Sequence, residues 1–251
     1  MTPKLLYIHA PKCGGTSFGS ALRLSHPLSQ ATIDLNTSRR MREAMYPQAQ
    51  GVDAVLREHE IRKYLLGDLL VRGVKCISAH VSYHRDLHQG LDPDRHAVTL
   101  LRDPVERFIS HYHYVQRKHP DPNRPDTLAE FVESEMALRY GSIYLLYYAS
   151  THQHTCDDLE AALDEARSNL ACFSVIGDLR NADAFRSALR HLAGRPLLYW
   201  ERNKRPTKGA AEHRKKAGTE EISDALRARI TEICAPDIAL YNHAKTLPSF
   251  V

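Results

Sequence analysis

Two short segments of the chain carry side chains suited to binding phosphate groups. The first runs from His9 to Ser17 and reads His-Ala-Pro-Lys-Cys-Gly-Gly-Thr-Ser, directly after an apolar run. Where a strand passes through a glycine-bearing turn into a helix, backbone N–H groups and the positive end of the helix dipole can face an anion. Lys12 adds a positive charge to this turn. The segment therefore predicts an anion site built from a loop and a helix N-terminus.

The order of residues in this loop separates it from the loop of nucleoside triphosphatases. In the motif G-x-x-x-x-G-K-[ST], the lysine follows the second glycine and a hydroxyl follows the lysine. Here Lys12 precedes both Gly14 and Gly15. The sequence therefore disfavours a P-loop kinase, together with the magnesium site that such an enzyme requires.

The second segment combines a guanidinium and a hydroxyl at another strand-to-helix junction. It runs from Leu101 to Ser110 and reads Leu-Arg-Asp-Pro-Val-Glu-Arg-Phe-Ile-Ser. Arg102 can bind a phosphate through two parallel hydrogen bonds, and Ser110 adds a donor two helical turns further on. Lys12 and Arg102 are some 90 positions apart. The second segment therefore predicts another point of contact for a phosphate group.

A candidate base follows another predicted strand. His80 lies in the run Ile-Ser-Ala-His-Val-Ser-Tyr-His, and an imidazole that titrates near neutrality can remove the proton from a hydroxyl. His84 is the alternative base. Two groupings resemble partial zinc sites: His80, His84 and His88, and His152, His154 and Cys156. Neither is a complete ligand set for zinc, so we expect no metal.

The loop and its lysine resemble a signature of the sulfotransferases, specifically the family that contains the heparan sulfate 2-O- and 6-O-sulfotransferases and many small bacterial relatives. That signature reads much like Pro-Lys-Thr-Gly-Gly-Thr-Ser, and Cys13 replaces the usual threonine here. The resemblance implies that 3′-phosphoadenosine 5′-phosphosulfate (PAPS) is the donor and adenosine 3′,5′-bisphosphate the product. Lys12 would contact the oxygen that bridges phosphate and sulfate. The 5′-phosphate would be held by Gly14, Gly15, Thr16 and Ser17.

The same resemblance covers the other two segments. In the family an arginine at a strand end and a serine two helical turns on share the 3′-phosphate, and Arg102 and Ser110 match them. The family's base is a histidine in a Gly-His-x-x-Tyr-like setting. His80 and Tyr83 match this pattern, with Ala79 where glycine is common.

A basic stretch late in the chain resembles the loop that closes over the nucleotide in this family. It covers residues 202–216 and carries seven Lys or Arg against one acid. The resemblance implies that Lys204 and Arg205 contact the 3′-phosphate or the adenine. An Asp-x-x-Leu-Tyr signature is matched by Asp237 to Tyr241. The charge of the loop also fits a solvated surface or an acidic acceptor.

The implied reaction is an in-line displacement at sulfur. His80 removes the proton of the acceptor hydroxyl, the oxygen attacks sulfur, and Lys12 neutralises the charge on the departing phosphate oxygen. The resemblance favours a carbohydrate acceptor. A peptide tyrosine, a phenol and a lipid-linked group remain alternatives, as does a catalytically silent module that binds a nucleotide or a glycan.

The elements that position these residues alternate between strands and helices. Strands are predicted at Lys4–His9, Val74–Ala79, His96–Leu101, Phe173–Ile176 and Leu197–Trp200. Such alternation is typical of a three-layer α/β fold with a central, mainly parallel sheet. The resemblance implies the P-loop NTPase-like fold of sulfotransferases. We expect a single domain over residues 1–251.

Several helices and helix ends can also be predicted from the sequence. Periodic apolar residues predict helices after Gly15, over 52–66, from Pro104, and over 159–170. Predicted helix ends are the N-caps Thr127, Asn181 and Thr219 and the terminator Pro236. Residues 24–50 are expected to be irregular. The tyrosine cluster Tyr144, Tyr147 and Tyr148 is interpreted as a packed helix face, with sugar stacking as the alternative.

The overall composition limits the class of protein. The 251 residues are 43% hydrophobic with a net charge of +4, which suits a packed core with local anion sites and no nucleic-acid partner. The five cysteines are scattered without C-x-x-C spacing, as in reduced cytosolic proteins. The sequence shows neither a secretory signal nor a membrane-spanning run. We expect a cytoplasmic enzyme whose oligomeric state the sequence does not indicate.

Overall fold

A parallel sheet forms the centre of the structure, a computed structural model that describes residues 3–118, 121, 124–153, 155–194, 196–197 and 222–251. Within these residues five strands pair in the order β2-β3-β1-β4-β5, and every pair is parallel. The strands are β1 (Leu5–Ile8), β2 (Gln30–Ala31), β3 (Cys76–Ala79), β4 (His96–Leu101) and β5 (Val175–Asp178). The predicted α/β fold class is therefore confirmed.

Helices connect the strands and cover the sheet. They are α1 (Gly15–Leu24), α2 (Leu35–Met45), α3 (Gly51–Val71), α4 (Arg85–Leu91), α5 (Pro104–Lys118), α6 (Leu128–Val132), α7 (Glu135–Gly141), α8 (Ile143–Ala149), α9 (Leu159–Leu170), α10 (Ala182–Ala193), α11 (Asp224–Ile233) and α12 (Ala235–Ala244). A short 3₁₀ turn, Leu179–Asn181, lies between β5 and α10. None of these helices has the length and hydropathy needed to cross a membrane.

The central strand β1 explains the layered arrangement. All four of its side chains are fully buried, as expected for a parallel strand that is covered on both faces. Leu5 and Tyr7 pack into a cluster with α1 and α10, whereas Leu6 and Ile8 pack into a cluster with α3, α8 and α9. Because successive side chains of a strand point to opposite faces, the sheet separates two helical layers.

The helix after β4 forms a third cluster. Pro104 occupies the first turn of α5, as predicted, and the stripe of Val105, Phe108 and Tyr112 packs against α6, α7 and α11. Pro is tolerated at a helix start because its missing N–H would have no partner there. This packing fixes the direction in which the chain leaves β4.

Strand register brings the three candidate segments to one edge of the sheet. Ile8 of β1 pairs with Ala79 of β3, and Tyr7 pairs with Val98 of β4. The carboxyl ends of these neighbouring strands therefore lie side by side. In parallel α/β sheets this edge is where ligands bind.

The region predicted to be irregular contains regular structure. Residues 24–50 hold β2 and α2, and Asp34 caps α2 by accepting a 2.8 Å hydrogen bond from the Thr37 N–H. The prediction was wrong because α2 buries only Ser38 and so has no apolar stripe. A helix that is polar nearly all round gives little periodic signal.

The ends of the C-terminal helices also differ from the prediction. Ser223, rather than Thr219, caps α11 by accepting a hydrogen bond from the Leu226 N–H at 3.2 Å. Residue 219 itself lies outside the described residues. Pro236 does not terminate this helix, because α11 ends at Ile233 and Pro236 lies in the first turn of α12.

The two other predicted N-cap residues, Thr127 and Asn181, stand at the N-caps of helices in the structure. Thr127 caps α6 and accepts from the Glu130 N–H at 3.2 Å, as the capping box predicted. Asn181 stands at the N-cap of α10 but its side chain makes no capping hydrogen bond. The predicted strand Leu197–Trp200 falls outside the described residues from 198 onward.

Candidate active site

The loop after β1 is shaped by two residues in the left-handed region. Lys12 has a φ of 68° and Gly14 a φ of 76°, and such a φ is uncommon for a lysine and recurs at sites under functional constraint. Gly15 contacts the imidazole of His9, so a Cβ at this position would collide with the ring. The first turn of α1 contains no acid. The amino end of α1 is therefore suited to an anion.

The two predicted anion-binding segments meet at this loop. Arg102, directly after β4, donates a hydrogen bond from Nη1 to the carbonyl oxygen of Lys12 at 3.4 Å. The Lys12 ammonium lies 4.1 Å from the centre of the Tyr114 ring on α5. Lys12 and Arg102 therefore lie next to each other at the carboxyl edge of the sheet.

Tyr144 on α8 holds the backbone of Arg102. Its hydroxyl accepts from the Arg102 N–H at 2.8 Å and donates to the Arg102 carbonyl at 2.5 Å. The same hydroxyl lies 3.5 Å from the Sγ of Cys13. Burial raises the pKa of Cys13, so its thiol stays protonated and packs between the two segments. The residue that replaces the family's threonine is thus part of the support for the site.

Asp237 in turn holds the start of α8. Its buried carboxylate accepts from the N–H groups of Tyr144 at 2.8 Å and Leu145 at 3.2 Å. Arg107, which is also fully buried, lies 3.3 Å away and donates in addition to the carbonyl of Tyr140. Burial raises the pKa of Asp237 to about 7, against the opposing effect of Arg107 and the backbone N–H groups.

The Asp-x-x-Leu-Tyr signature therefore lies in the interior of the fold. Its tyrosine, Tyr241, donates a 2.6 Å hydrogen bond to Asp178 at the end of β5. In the sequence this signature follows the basic stretch and was given no role of its own. The described contacts show that α12 is hydrogen-bonded to α8 and to β5.

The remaining predicted donor-site residues lie on α1 and α5 or outside the described chain. Thr16 is exposed and Ser110 is partly exposed. Neither hydroxyl is hydrogen-bonded to a residue that the structure describes, which leaves both available to a ligand. Lys204 and Arg205, with the whole basic stretch, lie outside the described residues.

His80 follows β3 at the same edge of the sheet. Its ring centre lies 4.0 Å from that of His9, and its Nδ1 lies 3.3 Å from the Tyr147 hydroxyl. Burial lowers the pKa of His80 to about 4, and the charge of Arg62 acts in the same direction. The imidazole is therefore neutral at pH 7, which is the form that a base requires.

The other predicted histidines have different surroundings. Tyr83 points away from His80, because its hydroxyl lies 2.8 Å from Nδ1 of His88 in the core. His84, the alternative base, is the N-cap of α4, and burial lowers its pKa to about 4. The described residues contain no group of three or more side chains arranged to ligate a metal.

Two arginines near the site were missed by the sequence analysis. Arg62 on α3 donates to the carbonyl of His80 at 3.4 Å and to Glu58 at 2.8 Å. Arg180, just beyond β5, donates to Asp103 at 2.8 Å. The Glu58 to Arg62 spacing of one helical turn was the available signal for the first. The second contact joins distant parts of the chain and has no local signal.

A wider recess of about 500 Å³ lies elsewhere on the molecule. It is lined by residues near the start of β4, including Arg95 and His96, and by Cys172 and Ser174. This is the amino-terminal edge of the sheet, opposite the edge that carries Lys12. The candidate residues Lys12, His80 and Arg102 lie at the carboxyl edge and do not line this recess.

A parallel α/β sheet with a basic, hydroxyl-bearing loop at its carboxyl edge is the arrangement of proteins that bind phosphate-bearing ligands. The sequence model of the sulfotransferase family matches residues 1–244, and the chain belongs to this family. No curated protein matches the chain in a sequence search. The family and the enzyme class predicted from the two short segments are thus confirmed.

Proposed function

We propose that this sulfotransferase takes its sulfuryl group from PAPS. The observation that carries the proposal is the 3.4 Å hydrogen bond that joins Arg102 to the Lys12 loop. It supports one ligand with phosphate groups at two separate points. The 5′-phosphate would lie at the amino end of α1, on Gly14, Gly15, Thr16 and Ser17. The 3′-phosphate would be bound by Arg102 and Ser110, and Lys204 and Arg205 are proposed to contact the 3′-phosphate or the adenine.

The chemistry of the described donors fits such a ligand. Lys12 and Arg102 can supply charge-assisted hydrogen bonds to phosphate oxygens. The N-terminus of α1, whose first turn contains no acid, adds backbone N–H donors. The unengaged hydroxyls of Thr16 and Ser110 add two further donors. A preference for the bisphosphate over adenosine 5′-monophosphate would rest on Arg102 and Ser110.

The proposed reaction transfers the sulfuryl group in one displacement. His80 accepts the proton of the acceptor hydroxyl, an acceptor O–S bond forms, and the S–O bond to the phosphate breaks. Lys12 stabilises the negative charge that the leaving phosphate oxygen gains. The neutral state of the His80 imidazole supports its role as base. An anionic donor bound nearby raises its pKa and so makes it a stronger base.

We propose a carbohydrate as the acceptor. The resemblance to glycan sulfotransferases supports this class, and peptide tyrosine, phenols and lipid-linked groups are the alternatives that an assay must include.

All five cysteines are free, which supports the prediction of a reducing, cytoplasmic compartment.

The test is transfer of ³⁵S-labelled sulfate from PAPS to a panel of glycans, phenols and tyrosine peptides. Lys12→Ala and His80→Ala should both abolish transfer, and His80→Ala should leave the affinity for adenosine 3′,5′-bisphosphate nearly unchanged. Lys245→Ala is a matched control, because Lys245 also lies 4.1 Å from a tyrosine ring, that of Tyr241. Full activity in His80→Ala would show that the base is wrongly assigned. Tighter binding of ATP with magnesium than of the bisphosphate would favour a kinase.

A further inference from the structure

One buried imidazole at the carboxyl edge of the sheet has no role in the proposed reaction. His9 is the first residue after β1 and is only 7% exposed. Its backbone N–H donates to the carbonyl of Ala79 at 3.3 Å, which extends the contact between β1 and β3 by one residue. Since His80 follows Ala79, this hydrogen bond places His9 directly beside the proposed base.

Three neighbours fix the orientation of the His9 ring. Its centre lies 4.0 Å from that of His80 and 5.0 Å from that of Tyr7. The ring also faces Gly15, where a Cβ would stand 2.2 Å from Nδ1 of His9 and 2.7 Å from its Cγ. The ring can come this close only because Gly15 has no side chain. Nδ1 of His9 is therefore aimed at the first turn of α1.

This nitrogen has no partner within the part of the chain that the structure describes. Nδ1 of His9 is buried and makes no hydrogen bond there. Buried polar atoms nearly always have a partner, and an unsatisfied one costs about 1–3 kcal/mol. The first turn of α1 contains no acid, and the first N–H groups of a helix have no acceptor within the helix. An anionic ligand at this point satisfies both the imidazole and the helix N-terminus.

The charge state of His9 suits a hydrogen-bond donor beside a base. Burial lowers the pKa of His9 well below its usual value, and the charges of His80 and Arg23 act in the same direction. The ring is therefore neutral and carries one N–H, which Nδ1 can hold. A neutral His9 does not repel the positive charge that His80 gains when it accepts a proton.

We propose that Nδ1–H of His9 donates a hydrogen bond to an oxygen of the sulfuryl group of the donor. This rests on the proposed function, because it adds a contact to that donor site. In an in-line displacement, sulfur lies between the attacking oxygen, which faces His80, and the phosphate, which faces Gly15. His9 contacts both of these residues, so the transferred group lies against its ring. The hydrogen bond orients the sulfuryl group and stabilises its charge during transfer.

The experiment compares PAPS with adenosine 3′,5′-bisphosphate, which lacks the sulfuryl group. Isothermal titration calorimetry of the full chain measures the affinity for the bisphosphate, and competition against the bisphosphate measures the affinity for PAPS. His9→Phe keeps a ring against Gly15 and His80 but removes Nδ1. We expect it to weaken PAPS binding by at least about tenfold, the lower range for a hydrogen bond to a charged group, and to change bisphosphate binding by less than about twofold.

Two amide variants test the position of the donor independently of the phenylalanine. The amide of His9→Asn reaches the place of Nδ1, whereas that of His9→Gln reaches the place of Nε2. His9→Asn should therefore keep PAPS affinity within about threefold of the wild type, and His9→Gln should lose as much as His9→Phe. Urea unfolding of each variant verifies that it is folded at the temperature of the titration.

A matched control lies at the other end of α1. His26 is 4% exposed, and its Nε2 is also buried without a partner among the described residues. It follows the C-terminal end of α1, on the opposite edge of the sheet from His80. His26→Phe should leave the affinities for PAPS and for the bisphosphate unchanged.

Two results would overturn the inference: an unchanged ratio of PAPS to bisphosphate affinity in His9→Phe and His9→Gln, or an equal loss in His9→Asn and His9→Gln. The first excludes a contact with the sulfuryl group, and the second excludes Nδ1 as the donor. If the wild type binds both nucleotides and either result is found, the inference fails while the proposed donor site stands. If the wild type binds neither nucleotide, the proposed function fails and the inference fails with it.

Discussion

Removing the hydroxyl of Tyr144 should weaken nucleotide binding although this residue is not proposed to touch the nucleotide. The hydroxyl is fully buried and satisfies both the N–H and the carbonyl of Arg102. Tyr144→Phe keeps the ring and leaves these two backbone groups without a partner. At a net 0.5–1.5 kcal/mol for each hydrogen bond, stability should fall by about 1–3 kcal/mol. Because Arg102 is then less well fixed, we expect affinity for adenosine 3′,5′-bisphosphate to fall by about tenfold, or about 1.4 kcal/mol.

A matched control lies one helical turn away. Tyr148 on α8 is equally buried. Its hydroxyl forms a 2.7 Å hydrogen bond with Oγ1 of Thr99, whereas that of Tyr144 binds the Arg102 backbone. Tyr148→Phe should lower stability by about 1 kcal/mol and leave bisphosphate affinity unchanged. Urea unfolding gives the first quantity and isothermal titration calorimetry the second. Equal bisphosphate affinities in the two variants would refute the role given to Tyr144.

Three further predictions concern other contacts of the site. NMR titration of the free protein should find the imidazole of His80 still neutral at about pH 5.5, because burial lowers its pKa to about 4. A titration midpoint at or above about 5.5 contradicts this. Gly15→Ala should cost about 1–3 kcal/mol and weaken bisphosphate binding, because its Cβ meets a buried imidazole. Gly90→Ala, which meets nothing, should not weaken binding, and equal binding by both variants contradicts the steric argument. Asp237→Ala should lower the free energy of unfolding by about 3–5 kcal/mol, because Arg107 is left buried without its carboxylate; a loss below about 1 kcal/mol in urea unfolding contradicts this.

Strands β1, β3, β4 and β5 and the edge at which they end could be predicted from the sequence because their signals are local, whereas β2 was missed. β4 consists of the predicted residues His96–Leu101, nearly all buried, and a short apolar run between polar residues is typical of a central parallel strand. The positions of Lys12 and Arg102 follow from the strands that precede them. Since parallel strands end at one edge, two distant segments could be expected to meet there.

The support of the site could not be predicted in the same way. Tyr144 binds backbone atoms of Arg102, and such a contact leaves no pattern in side-chain periodicity. The pair of Arg107 and Asp237 joins two helices far apart in the chain, and burial of both charges depends on the whole fold. The polar helix α2 was missed for the opposite reason, because it buries almost nothing.

The central claim is that Lys12 and Arg102 hold opposite ends of one bisphosphorylated adenosine. Isothermal titration calorimetry of adenosine 3′,5′-bisphosphate against adenosine 5′-monophosphate tests it most directly, with the wild type and Arg102→Gln. We expect the wild type to prefer the bisphosphate by about 100-fold, as a bidentate charge-assisted contact of about 3 kcal/mol requires, and Arg102→Gln to lose most of this preference. Equal affinity of the wild type for the two nucleotides, or an unchanged preference in Arg102→Gln, would contradict the account.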